Sequence, residues 1–140
     1  MKNCLLDTGP LVALLVKTDK YHQRAKEVFA KITAPLITCE AVISEACFLM
    51  AKVHPLGPAE VINLGTKGFY KIDFALQKDT ASIKSLLTKY KNIPMSLADA
   101  CLVRLADTYK QAHIATFDSD FAIYRWGKNK RFVSLLDLPT

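Results

Sequence analysis

The residues of this chain best placed to do chemistry are carboxylates at the ends of apolar runs. Asp7 closes the run Cys4-Leu5-Leu6, and Asp118 closes His113-Ile114-Ala115-Thr116-Phe117, with Asp120 two residues on. Asp99 falls in the first turn of an apolar helical segment. Its i+3 and i+4 neighbours are Leu102 and Val103, so that helix offers it no cation. Glu45 sits at the edge of the apolar stripe of another helical segment. Runs this apolar are not surface loops, and an unpaired buried charge costs several kcal/mol. A divalent cation shared by the acids removes that cost. Oxygen-only ligation selects Mg²⁺ or Mn²⁺ over zinc, and His22, His54 and His113 are far apart and lack zinc spacings. Each acid also has a structural explanation. Asp7-Thr8-Gly9-Pro10 is a turn sequence, Ser96 and Asp99 have capping-box spacing, Asp118-Ser119-Asp120 fits a helix cap, and Glu45 fits a solvated rim. What favours a joint role is their shared placement at the ends of sequence-distant elements.

Those elements alternate. Apolar runs over 2–7, 35–39, 70–76, 113–117 and 132–136 read as strands. Spacings of 3 and 4 predict amphipathic helices over 20–32, carried by Tyr21, Ala25, Val28, Phe29 and Ile32, and over 40–53, carried by Val42, Ala46, Leu49, Met50 and Val53. Pro10 opens a helix after the first strand. The breaker cluster His54–Pro58 precedes a short helix over 59–66. Ile83, Leu86, Leu87 and Tyr90 mark another helix, and 97–109 is a long, nearly all-apolar one. Short apolar strands separated by helices predict an α/β domain with a parallel sheet, buried on both faces. Such a sheet binds ligands at the carboxyl ends of its strands, which is where the acids fall. The charged stretch 125–131 reads as a solvated loop before the last strand.

Composition bounds the answer. At 140 residues the chain reads as a single domain spanning 1–140, long enough to bury its own core. Half of it, 51%, is apolar, which excludes disorder. The mean hydropathy of +0.14 fits either a dense core or an apolar face kept for a partner. The apolar stretch from Cys4 to Val16 is broken by Asp7, Gly9 and Pro10, so neither a membrane span nor a signal peptide is expected, and the location expected is cytoplasmic. The 4 cysteines form no C-x-x-C pair and read as small buried thiols. No Walker loop, G-x-G-x-x-G or G-x-S-x-G is present, so nucleotide hydrolysis and serine-hydrolase chemistry have no local support.

In order along the chain, Leu5-Leu6-Asp7-Thr8, Val42-Ile43-Ser44-Glu45-Ala46, Ser96-Leu97-Ala98-Asp99-Ala100 and Ala115-Thr116-Phe117-Asp118-Ser119-Asp120-Phe121 resemble the PIN-domain ribonucleases, most closely the VapC-type toxins of toxin–antitoxin pairs. The resemblance covers essentially the whole chain. It implies a three-layer, Rossmann-like fold with a central, mostly parallel sheet of about five strands. It implies that Asp7, Glu45, Asp99 and Asp118 are catalytic, with Asp7, Asp99 and Asp118 holding Mg²⁺ or Mn²⁺. Asp120 then matches an auxiliary acid, and Thr8 and Thr116 match hydroxyls that orient the metal, its water or a phosphate. The activity implied is metal-dependent hydrolysis of RNA phosphodiesters, leaving 5′-phosphate and 3′-hydroxyl ends. The partners implied are a cognate antitoxin and a second copy in a homodimer.

Two rivals stand beside this reading. One is a domain of the same fold that binds RNA or protein without cutting. The other is an aspartic protease suggested by Asp7-Thr8-Gly9, which the helical patterns oppose and which leaves Asp99 and Asp118 without a role. The charge balance supports a nucleic-acid partner. The formal net charge is +6, and setting aside the five site acids leaves 8 of the 13 acidic residues against 19 basic ones, a balance of +11. Arg125, Lys128, Lys130 and Arg131 cluster beside Tyr124 and Trp126, a candidate strand-binding platform. Binding of single-stranded RNA is therefore expected to weaken steeply between about 50 and 200 mM salt in a fluorescence-anisotropy titration. A flat salt response would assign the charge to solubility alone.

Overall fold

The computed structural model describes residues 3–32 and 35–136. The elements in order are β1 (Leu5–Leu6), α1 (Thr8–Leu15), α2 (His22–Ala30), β2 (Leu36–Thr38), α3 (Glu40–Ala51), α4 (Gly57–Thr66), β3 (Tyr70–Ile72), α5 (Leu76–Lys89), α6 (Leu97–Tyr109), β4 (His113–Ala115), a 3₁₀ turn (Ser119–Ala122), β5 (Arg125–Trp126), β6 (Lys130–Arg131) and β7 (Val133–Ser134). Five strands form one sheet in the order β3-β2-β1-β4-β7, and every pairing is parallel. The chain builds outward from β1 through β2 to β3, then returns to place β4 on the other side. Strand order therefore reverses between β1 and β4, and the crevice of such a sheet opens there.

Alternation along the strands sorts the core into two layers. Leu5, Ile37 and Ile114 face one way, onto Ile83 of α5 and onto Leu102 and Leu105 of α6, with Phe121 and Tyr124 beyond. Cys4, Leu6, Leu36 and Ala115 face the other way, onto Leu11, Ala25, Phe29, Met50 and Val61 of α1–α4. Successive side chains of a strand point to opposite faces, so an apolar pair such as Leu5-Leu6 serves both layers. This is the expected three-layer α/β arrangement. Three of the four thiols, Cys4, Cys39 and Cys101, are buried as expected, and Cys47 is half-buried; all four are free. No helix of the described residues is long and apolar enough to cross a membrane.

The differences from the sequence expectation lie at element ends and in one hairpin. The strands expected over 70–76 and 132–136 pair only over Tyr70–Ile72 and Val133–Ser134. The helix expected over 20–32 runs from His22 to Ala30, and the one over 59–66 begins two residues earlier, at Gly57. Residue 2 of the strand expected over 2–7 lies outside the described residues. The expected loop over 125–131 is instead an antiparallel hairpin, β5 with β6. Gly127 (φ 55°) and Asn129 (φ 61°) turn it, in the left-handed region that these two residue types tolerate. The Trp126 indole N–H donates to the Arg131 carbonyl at 3.1 Å, and Lys130 Nζ lies 4.8 Å from the ring centroid.

The turn between α3 and α4 has one further constraint. A Cβ on Gly57 would sit 2.3 Å from the Met50 carbonyl oxygen, so the two helices approach as they do only because that side chain is absent. Gly57→Ala is expected to lower stability by roughly 1–3 kcal/mol, the usual range for overpacking. The measurement is the urea midpoint at unchanged m-value.

Candidate active site

Each acid is placed by a helix start. Asp7 is the N-cap of α1: its Oδ1 accepts from the Thr8 N–H at 2.8 Å. Its own N–H donates to the Ala115 carbonyl at 3.0 Å, which ties the end of β1 to the end of β4. Asp118 follows β4 and caps the 3₁₀ turn, its Oδ1 accepting from the Asp120 N–H at 2.9 Å. Asp99 lies in the first turn of α6, where its N–H donates to the Ser96 hydroxyl at 3.0 Å. One carboxylate oxygen from each of Asp7, Asp99 and Asp118 lies within 4.8 Å of the others. Asp7 and Asp99 are buried and Asp118 is half-buried.

Hydroxyls hold the cluster in place. The Thr116 hydroxyl donates to Asp7 Oδ2 at 2.7 Å and accepts from the Asp118 N–H at 2.9 Å, so one buried side chain sets both acids. The Tyr124 hydroxyl donates to Asp99 Oδ2 at 2.8 Å. Thr8 reaches the other way, donating to Glu45 Oε2 at 3.2 Å. Asp7, Thr8, Glu45, Asp99, Asp118 and Asp120 all line one cleft of about 450 Å³, with Gly9, Leu49, Pro94, Ser96 and Phe117 completing its walls. Glu45 stands exposed on its rim.

Electrostatically the cluster is unbalanced. The salt bridges of the described residues lie elsewhere: His54 with Glu60, Lys71 with Asp73, and Arg104 with Asp79 and Asp107. Burial, reinforced by the charges of Asp99 and Asp118, lifts Asp7 from 3.8 to about 6, against the pull of its bonds from Thr116 and Thr8. Burial and then the Asp118 charge raise Asp99, against Tyr124 and Ser96. Burial and the neighbouring Asp99 carboxylate push Tyr124 up as well, which keeps it a phenol and a donor. Two unit charges 4.8 Å apart repel by roughly 3 kcal/mol at an effective dielectric near 20. The donor set, three carboxylate oxygens with no thiol or imidazole, suits a hard cation of the Mg²⁺ or Mn²⁺ kind and leaves room in an octahedral shell for water or phosphate oxygens. The residues present therefore fit such an ion. His22, His54 and His113 are bonded elsewhere, to the Ala13 carbonyl, the Leu56 N–H and Gln111 respectively.

The basic cluster is not part of this cleft. Gly127 at the tip of the β5–β6 hairpin donates its N–H to Asp107, eight residues along α6 from Asp99, or about 12 Å at the helical rise. Lys128, Lys130 and Arg131 are exposed there, whereas Arg125 folds back and donates to the carbonyls of Ala122, Ile123 and Tyr124. Tyr124 and Trp126 are buried, 0% and 7% exposed, so neither ring offers the stacking face expected of a strand-binding platform. Tyr124 matters instead as the partner of Asp99. The sequence signal for that was an aromatic hydroxyl inside an apolar run, since a buried phenol needs an acceptor.

A pH dependence follows for the metal-free protein. Between pH 3.8 and about 6 folded Asp7 binds more protons than unfolded Asp7, so unfolding free energy falls as pH rises. The contribution is complete below pH 4 and lost as pH passes about 6. Metal-free wild type is expected to lose on the order of 3 kcal/mol across this window relative to Asp7→Asn, by chemical denaturation in EDTA. Millimolar Mn²⁺ at pH 7 should raise the wild-type melting temperature, because a ligand of the folded state stabilises it.

Two comparisons with known proteins place the chain by fold and family. No curated protein matches the chain. The fold is similar to that of VapC20 of Mycobacterium tuberculosis, a sarcin–ricin loop cleaving toxin, with a TM-score of 0.78 at 18% identity over 86% of this chain and 94% of that one. The PIN domain family matches residues 4–127, a span that runs from β1 through β5 and holds all three clustered aspartates, and the chain is a member of that family.

Proposed function

We propose that this protein is a divalent-metal-dependent endoribonuclease that acts as the toxin of a VapBC-type toxin–antitoxin pair in the cytoplasm. The observation that carries the reading is the cluster of Asp7, Asp99 and Asp118, set at the strand-order reversal of a parallel sheet. Membership of the PIN family and the likeness in fold to an RNA-cleaving toxin support it.

Asp7, Asp99 and Asp118 would hold the ion. When bound, Mg²⁺ or Mn²⁺ supplies Lewis acidity toward a phosphate and toward water. The chain's own groups do the positioning. Thr116 and the Thr8 N–H each occupy one oxygen of Asp7, and Tyr124 occupies Oδ2 of Asp99, so the carboxylates cannot turn away. Glu45 Oε2 is taken by Thr8, which leaves Oε1 to accept a proton from the attacking water at the rim of the cleft. Asp120, raised by partial burial and the Asp118 charge, is an auxiliary acid at the same rim. Lys128, Lys130 and Arg131 attract the RNA backbone at a distance from the cut. Phe48, Val53, Leu56 and Ile62, exposed on α3, α4 and the turn between them, offer an apolar surface for an antitoxin helix or a second copy.

The deciding experiment is cleavage of a single-stranded RNA pool with Mg²⁺ or Mn²⁺, read by end chemistry, with EDTA as control. Cutting to 5′-phosphate and 3′-hydroxyl ends is expected, and Asp99→Asn should reduce it at least about 100-fold while the protein stays folded. A folded wild type that binds the pool and leaves it intact at every metal concentration would establish the non-cleaving binding module instead.

A further inference from the structure

A second cavity, about 290 Å³, opens on the other side of Phe117 and Asp118, which line both it and the acid cleft. Its size lies at the lower end of the range for ligand sites, about 300–1,000 Å³. It has room for one flat heterocycle and not for a chain. Phe121 and Phe132 form two of its walls, with ring centroids 5.3 Å apart and planes at 88°. Phe121 is 2% exposed and closes the floor of the cavity, whereas the half-buried Phe132 is the ring on which a flat heterocycle can stack. Ser119 and Ser134 add hydroxyls. Ser134 donates to the Thr116 carbonyl at 3.2 Å, so its remaining lone pairs can accept from an amine or ring N–H. Among the described residues the only charged one in the lining is Asp118, so these walls repel phosphate and suit a neutral, planar, hydrogen-bonding ring.

We propose that this cavity takes the base of the nucleotide that flanks the scissile phosphate. The proposal rests on the nuclease reading above. A base enters such a cavity only when it is out of the stack, so the site selects unpaired nucleotides, and Phe132 and Ser134 bias which base is accepted.

The test uses full-length wild type in EDTA, where nothing is cut, and two single-stranded oligonucleotides of equal length. One carries its bases and the other is abasic with every phosphate kept. The base-bearing strand is expected to bind about tenfold more tightly. Phe132→Leu keeps apolar volume and removes the ring. It should abolish most of that preference while leaving the affinity for the abasic strand unchanged. Ser134→Leu, which fills the cavity from the edge strand, should do the same and serves if Phe132→Leu does not fold. Equal binding of the two strands by wild type, or an undiminished preference in the folded variants, overturns the proposal whatever the cleavage result. A base preference that these variants remove, in a wild type that cuts no RNA with Mn²⁺, keeps the cavity and overturns the nuclease reading.

Discussion

Bringing one oxygen from each of Asp7, Asp99 and Asp118 within 4.8 Å sets like charges against one another in a half-buried crevice, and the surrounding structure is organised to withstand that. Asp7 and Asp99 sit at α-helix starts, where the positive end of the helix contributes about 0.3–1 kcal/mol, while Asp118 caps a short 3₁₀ turn. Each repelling pair costs roughly 3 kcal/mol, so the helix ends offset only part. The remaining repulsion adds to burial, the main cause that lifts Asp7 to about 6 and raises Asp99 as well. What prevents the acids from separating is covalent and architectural. β1 and β4 are adjacent parallel strands, and α6 is buried almost along its whole length. The two-layer core supplies the force that holds the charges together, and a hard cation is a group that could relieve them.

Much of this was legible in the residues, for identifiable reasons. Short apolar runs ending in acids mark strands buried on both faces, and α6 was readable to its ends because Ser96 caps it and nearly every turn is apolar. Strand ends were not readable. Phe74 and Leu135 continue the apolar pattern beyond β3 and β7, but pairing depends on how far the neighbouring strand extends, which no local pattern encodes. The 125–131 hairpin was hidden because a charged run around Gly127 and Asn129 has the composition of a loop. The structure shows its order to come from a buried indole and the bond to Asp107.

The competing explanations of the acids are also compatible with one another. The capping role of Asp99 engages its N–H with the Ser96 hydroxyl, while its Oδ2 is held by Tyr124. Asp118 caps the 3₁₀ turn through Oδ1 and still offers an oxygen to the cluster. Turn, cap and ligand are not alternatives here, because a carboxylate has two oxygens and a backbone N–H besides. Tyr124 is the reverse case. Its residue type suggested an exposed stacking surface, but burial makes it a fixed donor to an acid.

The caps carry an evolutionary consequence. Asparagine caps a helix about as well as aspartate, so at the two capping positions, 7 and 118, a neutral amide can keep the bond to the first backbone N–H, although at 7 it gives up the acceptor for the Thr116 hydroxyl. In codon terms the exchange is a single G-to-A transition. Decay of a gene encoding this chain therefore has a path on which chemistry vanishes first and the folded surface persists, still able to occupy whatever partner or nucleic acid that surface engages. A silent descendant of this kind would be recognisable by amides at positions 7 or 118 in an otherwise intact core.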